Sequence, residues 1–157
     1  MTSLLRRATS SDASRVADVL IGTRSAFMPY APSAHTEEEV RAWVASHLIP
    51  NTCVTVAEKE GRVVGVMATD SDGTGSWIMQ MAVEPKLVGS GIGSALLVHA
   101  IRSLRRPIRL YTFQQNVGAR RFYERNGFLA IELTDGQGNE EKCPDVLYEL
   151  RQPPAEA

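Results

Sequence analysis

The sequence predicts an α/β (α+β) domain built on a mixed, mostly antiparallel central sheet of about seven strands with four helices. Three features predict it. Residues 53–83 alternate apolar and polar positions between tight turns, which makes a series of antiparallel neighbours. A strand–helix–strand unit spans 77–113 and, by the handedness of such crossovers, makes a parallel pair. Segments with helical apolar spacing flank the hairpins and supply the covering layers.

Each element has its own signal. Leu4–Thr9 reads as the first strand, and Ser10–Asp12 offers caps for a helix whose face is Ala13, Val16, Ala17, Leu20 and Ile21, running to about Phe27. Pro29 and Pro32 break residues 28–35. Thr36-Glu37-Glu38-Glu39 is a capping box, and Val40, Trp43, Val44, His47 and Leu48 form the face expected to be buried, up to Pro50-Asn51. Val54 and Val56 mark a strand, Glu60-Gly61 a turn, and Arg62–Thr69 its hairpin partner. Asp70–Gly75 reads as a loop by composition, and Trp77–Val83 as the next strand, ended by Pro85. Ser94–Leu104 is helical, Pro107 breaks it, and Ile108–Phe113, Val117–Asn126 and Phe128–Leu133 follow as strand, helix and strand. Asp135–Pro144 is a polar loop and Asp145–Leu150 a last strand. The reading is one domain over 1–151, with 152–157 a disordered tail.

Composition narrows the function. The 157 residues are 43% hydrophobic, enough for a core. Seventeen basic residues against 18 acidic ones leave −1, without the basic excess of a nucleic-acid-binding protein. Cys53 and Cys143 lie in no CxxC or His-rich context, so no metal site is expected; the reading is one half-buried thiol and one loop thiol. No signal peptide and no membrane-length apolar run is present, so a cytoplasmic protein without a membrane partner is expected.

Two stretches carry chemistry. In Val83-Glu84-Pro85-Lys86-Leu87-Val88-Gly89-Ser90-Gly91-Ile92-Gly93-Ser94 a strand ends, a glycine loop follows and a helix begins. Glycines let an anion approach the backbone closely, and a helix start adds unbonded N–H groups and partial positive charge. That combination fits phosphate or pyrophosphate, although glycines also serve a helix packed tightly on a sheet without a ligand. A G-x-G-x-x-G fingerprint counted from Gly89 needs glycine or alanine where Ser94 stands, and a P-loop needs Gly-Lys-Ser/Thr, which is absent. In the second stretch, Asn116 to Phe128, Ala119, Phe122, Tyr123 and Asn126 share one helical face between an N-cap asparagine and a C-terminal glycine.

Together these stretches resemble the GNAT family of N-acetyltransferases, in its bacterial-type single-domain form. Val83-x-Pro85 and Val88-Gly89-Ser90-Gly91-Ile92-Gly93 are similar to its V-x-P and Q/R-x-x-G-x-G/A pattern. Asn116 to Phe128 matches N-x-x-A-x-x-F-Y-x-x-x-G-F at every motif position. The resemblance spans roughly Leu4 to Arg151 and departs at Val88, where the family has Gln or Arg, and at Trp77, where some members carry a glutamate base. Lys86 or Ser90 then stand in for the missing side-chain support of the loop.

The resemblance implies splayed fourth and fifth strands with acetyl-CoA (coenzyme A) as cosubstrate and no metal. The pantetheine arm would lie along Met81, Ala82 and Val83, with the pyrophosphate on the amides of Val88, Gly89, Ser90, Gly91, Ile92, Gly93 and Ser94. Asn116, Ala119 and Tyr123 would line the thiol end, Tyr123 acting as general acid, with Arg120, Arg121, Arg125 and the Arg102–Arg109 cluster available to the 3′-phosphate. Asp70, Asp72, Glu132, His35 or a water on Gln80 are candidate bases. Phe27 and Tyr30 would flank the acceptor and Asp145 would hold a cationic amine beside the loop 134–144. The implied reaction is direct acetyl transfer to a primary amine of a small molecule or peptide. The alternatives are a non-catalytic acyl-CoA sensor and a protein lysine or N-terminal acetyltransferase, and pairing into a homodimer is an expectation from the family.

Overall fold

The computed structural model describes residues 4–151; the expected tail lies outside them. The elements follow the order β1 (Leu4–Arg7), α1 (Ala13–Phe27), α2 (Glu37–Trp43), α3 (Ile49–Asn51), β2 (Cys53–Lys59), β3 (Arg62–Asp72), β4 (Gly75–Val83), α4 (Ile92–Ser103), β5 (Ile108–Phe113), α5 (Val117–Arg125), β6 (Leu129–Leu133) and β7 (Asp145–Leu150). A π-helical segment, Val44–Leu48, joins α2 to α3, so the four expected helices are present. The sheet order is β1-β2-β3-β4-β5-β7-β6, with β4 and β5 the one parallel pair in it.

Helices cover both faces of the sheet's first half, which is why β3 carries the unbroken apolar run Val63-Val64-Gly65-Val66-Met67-Ala68 instead of a strict alternation. On one face Val16, Ala17, Val19, Val44 and Leu48 pack on Val54, Val56, Val66 and Ala82. On the other, Leu96, Leu97, Ala100, Tyr123 and Phe128 pack on Met67, Ile78, Ile108, Leu110 and Tyr148. Gly65 sets the height of α4 above the sheet. A Cβ there would stand 2.8 Å from Ile92 Cγ2 and 3.1 Å from Leu96 Cδ1, so the first turn of α4 rests almost on the β3 backbone.

The capping box forms as the sequence reads: the Glu39 amide donates to Thr36 Oγ1 at 3.1 Å and the Thr36 amide to Glu39 Oε1 at 2.9 Å. Three expectations need correction. Asp70, Ser71 and Asp72 are not loop but the end of β3, paired with Trp77, Ser76 and Gly75. The turn shrinks to Gly73-Thr74 because Asp72 Oδ1 accepts from the Thr74 amide and hydroxyl, at 2.7 and 2.6 Å. Trp43 and His47 leave the core face and stack on each other at its edge, at 6.2 Å, while Val44 and Leu48 alone are fully buried there. The π-helical segment breaks the 3.6-residue spacing on which that face was drawn. Cys53 on β2 is exposed, not half-buried, whereas Cys143 lies in the loop as expected and is buried there. Val19 joins the buried face of α1 beside Val16 and Ala17.

The N-terminal strand is tied down by Arg6, which pairs with Asp12 and, through Nε at 3.0 Å, with Glu58. The Arg6 guanidinium donates to both oxygens of Asp12, at 2.8 and 3.0 Å, and the Thr9 amide donates to Oδ2 at 2.7 Å. These bonds, Arg6 first, hold the buried Asp12 carboxyl at about 2 against an ordinary 3.8. Between those values the unfolded chain binds more protons, so the stabilisation is complete above the upper value and is lost as pH falls through the lower one. Asp12→Asn is expected to cost about 1–3 kcal/mol at neutral pH. Urea denaturation checks this, and the gap to wild type closes at and below about pH 2.

Candidate active site

The site begins where β4 and β5 part. Their parallel ladder comprises Ser76 with Ile108 and Trp77 with Arg109, and stops there. A bulge in β4, where Thr69 and Ala68 face Ile78 and Gln80 and skip Met79, bends the strand at that point. Beyond it the strands diverge around a cavity of about 1120 Å³, with Ile78–Val83 on one wall and Leu110–Phe113 on the other. The splay expected between the fourth and fifth strands is thus a ladder that ends two residues in.

Divergence strips β4 of partners on one edge. The Glu84 amide donates to Val64 O at 2.8 Å, so positions 82 and 84 direct their backbone groups at β3. Met81 and Val83 therefore direct theirs at the wedge. The Val83 carbonyl accepts from Thr23 Oγ1 at 3.0 Å; the N–H groups of Met81 and Val83 face the cavity. Ala82 is buried against β3 and the α1 layer.

The mouth of the wedge is the glycine loop. Gly89 and Gly91 have φ of +89° and +95°, a backbone that side chains disfavour. Gly91 is the N-cap of α4 and supplies no side-chain cap; the first bond of the helix runs from the Ala95 amide to Gly91 O at 3.0 Å. The amides of Ile92, Gly93 and Ser94 thus precede the helix ladder with nothing from the cap on them. The Ser90 amide and hydroxyl both turn back to Leu87 O, so Ser90 closes the loop instead of facing the cavity. Val88 is exposed and lines the cavity with Gly89, Gly91, Gly93 and Ser94, whereas the Ile92 side chain is core.

The third wall is α5. Asn116 caps it, its Oδ1 accepting from the Ala119 amide at 3.2 Å, and Asn116, Ala119, Phe122 and Tyr123 line the cavity. Tyr123 is locked in an aromatic cluster with Phe122, Phe128 and Tyr148, at 5.2, 5.8 and 6.2 Å between rings. Burial pushes its phenol far above the ordinary value of 10, so the neutral, proton-bearing form prevails. Tyr148 is oriented by its own bonds: it donates to Glu124 Oε2 at 2.5 Å and accepts from Arg120 Nε at 3.0 Å.

The remaining candidates divide. Phe27, Gln80, Glu132 and Asp145 line the cavity. Tyr30 does not; it packs edge-on against Phe113 at 6.1 Å with its hydroxyl buried and without a hydrogen-bond partner. Asp70 and Asp72 sit at the β3–β4 turn, and His35 bonds Glu140 at 3.1 Å outside the lining. Arg120 is engaged by Tyr148 and Arg109 by Glu149, while Arg125 lies over the Phe122 ring at 5.9 Å and lines the cavity. The loop 134–144 is tied to itself and to its neighbours: Asn139 bonds both the Cys143 backbone and Asp145 of β7, and Glu141 pairs with Arg24 of α1 at 3.2 Å. Thr23, Arg24, Tyr111, Phe113 and Glu141 also line the site; long-range register puts them there, and no local pattern in the sequence marks them. Trp77 stacks on Tyr111 at 5.8 Å where the wedge closes. Among the described residues no group of three or more His, Cys, Asp or Glu is placed to hold a metal, and no helix is long and apolar enough to cross a membrane.

The family model described as acetyltransferase (GNAT) family matches residues 20–128, more than half of the chain. No protein in the curated set matches it. Solved structures do. The ribosomal-protein-S18-alanine N-acetyltransferase from Escherichia coli superposes with a TM-score of 0.77 at 16% identity over 98% of this chain and 96% of its own. PaiA N-acetyltransferase from Thermoplasma acidophilum, in complex with coenzyme A, gives 0.75 at 18% over 97% and 100%. Apo YjaB from Escherichia coli gives 0.75 at 21% over 95% and 97%. At these identities the likeness is one of fold.

The loop geometry makes a prediction that needs no ligand. Gly91→Ala leaves the added methyl in open space yet forces alanine to φ +95°, and is expected to cost about 1–2 kcal/mol in urea denaturation. Gly118→Ala, also in open space but at an ordinary helical φ, is expected to be neutral or slightly stabilising.

Proposed function

The chain belongs to the acetyltransferase (GNAT) family, and on that premise we propose that it is an acetyl-CoA-dependent N-acetyltransferase that transfers the acetyl group directly to a primary amine of a small molecule or peptide. One observation carries the reading: a strand edge with free N–H groups, a helix start that presents the uncapped residues Gly93 and Ser94, and a buried tyrosine all open on the same cavity.

The residues fit the cosubstrate in kind. A pyrophosphate needs convergent N–H donors and positive helix-end potential, which Ile92, Gly93 and Ser94 supply without a side chain from Val88. A pantetheine arm carries amides that need strand-like partners, which the edge of β4 at Met81 and Val83 offers. Acetyl-CoA supplies an acetyl group activated as a thioester.

The protein's part is positioning and proton handling. Two walls that hold the reactants in line supply a large share of the rate. The Met81 N–H is directed at the wedge, where it donates to the thioester carbonyl as negative charge builds on oxygen. Tyr123 keeps its proton at neutral pH and gives it to the sulfur as that atom leaves. Its burial also makes a lasting phenolate unfavourable, so the proton is replaced before the next turnover. The acceptor amine arrives protonated, with an ordinary pKa of roughly 10, and loses its proton to water or to a carboxylate of the cavity before attack. Glu132 is the sequence-derived candidate base with a carboxylate in the lining.

Tyr123→Phe keeps the ring packing and removes the proton, and is expected to lower kcat by about tenfold or more with acetyl-CoA affinity nearly unchanged. Steady-state thiol release and calorimetric titration read the two quantities separately. Turnover at the wild-type rate would remove Tyr123 from the reaction.

A further inference from the structure

Three carboxylates are buried among the described residues: Asp12, Asp145 and Glu149. Arg6 faces both oxygens of Asp12, and Glu149 sits between Arg109 and Arg151. Asp145 is as buried as Asp12, 8% exposed, yet its side-chain partners are uncharged. Thr134 Oγ1 donates to Oδ1, and Asn139 Nδ2 donates to Oδ2 at 3.0 Å. A carboxylate offers about four acceptor positions, so these donors leave room on both oxygens. Burial of a carboxylate without a facing cation is costly, and in this protein the other two cases are neutralised. Of the two cations that line the same cavity, Arg24 is taken by Glu141 at 3.2 Å and by the Ala31 carbonyl, and Arg125 of α5 lies over the Phe122 ring.

The position of this charge is informative. Asp145 opens β7 directly opposite Phe113, the last residue of β5. Ile108 and Leu110 of β5 lie in the core beneath α4 and α5, so alternation puts Phe113 and Asp145 on the opposite face of the sheet. The uncapped amides and Tyr123 belong to α4 and α5, so Asp145 approaches the cavity from the side away from them. β7 is one strand beyond β5, and the edge of β4 lies across the wedge, so a group on Asp145 stands on the order of 10 Å from that edge. That is too far for the amine that attacks a thioester held on β4.

We propose that the acceptor carries a second positive charge besides the reacting amine, and that Asp145 is the residue that seats it. The reacting end of this assignment rests on the acetyltransferase reading; the seat for the second charge does not. The cation supplies the counter-charge the buried carboxylate lacks and sets the acceptor's register, so that the far amine reaches the wedge.

The test uses butane-, pentane- and hexane-α,ω-diamines against n-alkylamines of the same length. Binding is measured by calorimetry with and without CoA, and acetylation by thiol release. The diamines are expected to bind about tenfold more tightly or better, to show the same advantage in kcat/KM, and to lose part of it as salt is added. Asp145→Asn is expected to bring the diamine-to-monoamine ratio to within about twofold of one. Equal binding of the two series by the unaltered protein overturns the proposal, as does a preference that survives in a folded D145N. Should D145N not fold, the preference and its salt dependence in the unaltered protein decide. Failure of CoA to bind would instead strike the acetyltransferase reading, and diamine binding without CoA would still judge Asp145.

Discussion

The arrangement depends on a parallel ladder that stops early. After Trp77 and Arg109 the edges of β4 and β5 have no strand to pair with, and backbone N–H and C=O groups left inside a protein must find other partners. One is provided internally, where Thr23 reaches the Val83 carbonyl. The amides of Met81 and Val83 have only the cavity before them. A sheet that parts in its middle would ordinarily lose its integrity; here β3 anchors one half through its long pairing with β4, and β7 anchors the other through six residue pairs with β5. The gap is thus a built feature held open from both sides.

The same parting sorts the chemistry by face. Gly65 lets α4 sit low on the sheet, which carries the uncapped amides of Ile92, Gly93 and Ser94 to the mouth of the wedge. α5 adds Tyr123, clamped by Phe128 and Tyr148 and kept neutral by burial. Anion-binding groups and the proton donor thus share one side. The carboxylates Glu132, Glu141 and Asp145 approach the cavity from the strands and loop of the C-terminal half. A negatively charged cosubstrate and a positively charged acceptor meeting from opposite sides would each find complementary surroundings.

Much of this was legible in the sequence because the signals were local. The capping box at Thr36, the glycine loop before α4 and the Asn116-to-Phe128 helix each announce themselves within a dozen residues, and their spacing carried the family resemblance that the family match now bears out. Where neighbouring signals conflicted, local reading failed. Asp70-Ser71-Asp72 has turn composition but is held in the ladder by pairing with β4, and the π-helical segment turned Trp43 and His47 away from the core. The acceptor side was least legible. Thr23, Tyr111, Phe113 and Glu141 reach the cavity through strand register and a folded loop, which no short motif encodes. Asp145 could be named from the sequence, but its want of a cation emerges only beside Asp12 and Glu149.

The free edge of β4 and the first turn of α4 are the places where CoA is proposed to be gripped. Amide hydrogen exchange, resolved by residue with and without CoA, measures this most directly. CoA is expected to slow exchange at Met81 and Val83 and at Ile92, Gly93 and Ser94, while Ala82, already bonded to β3, changes little. Protection confined to other parts of the sheet, or none at the β4 edge under saturating CoA, would contradict it.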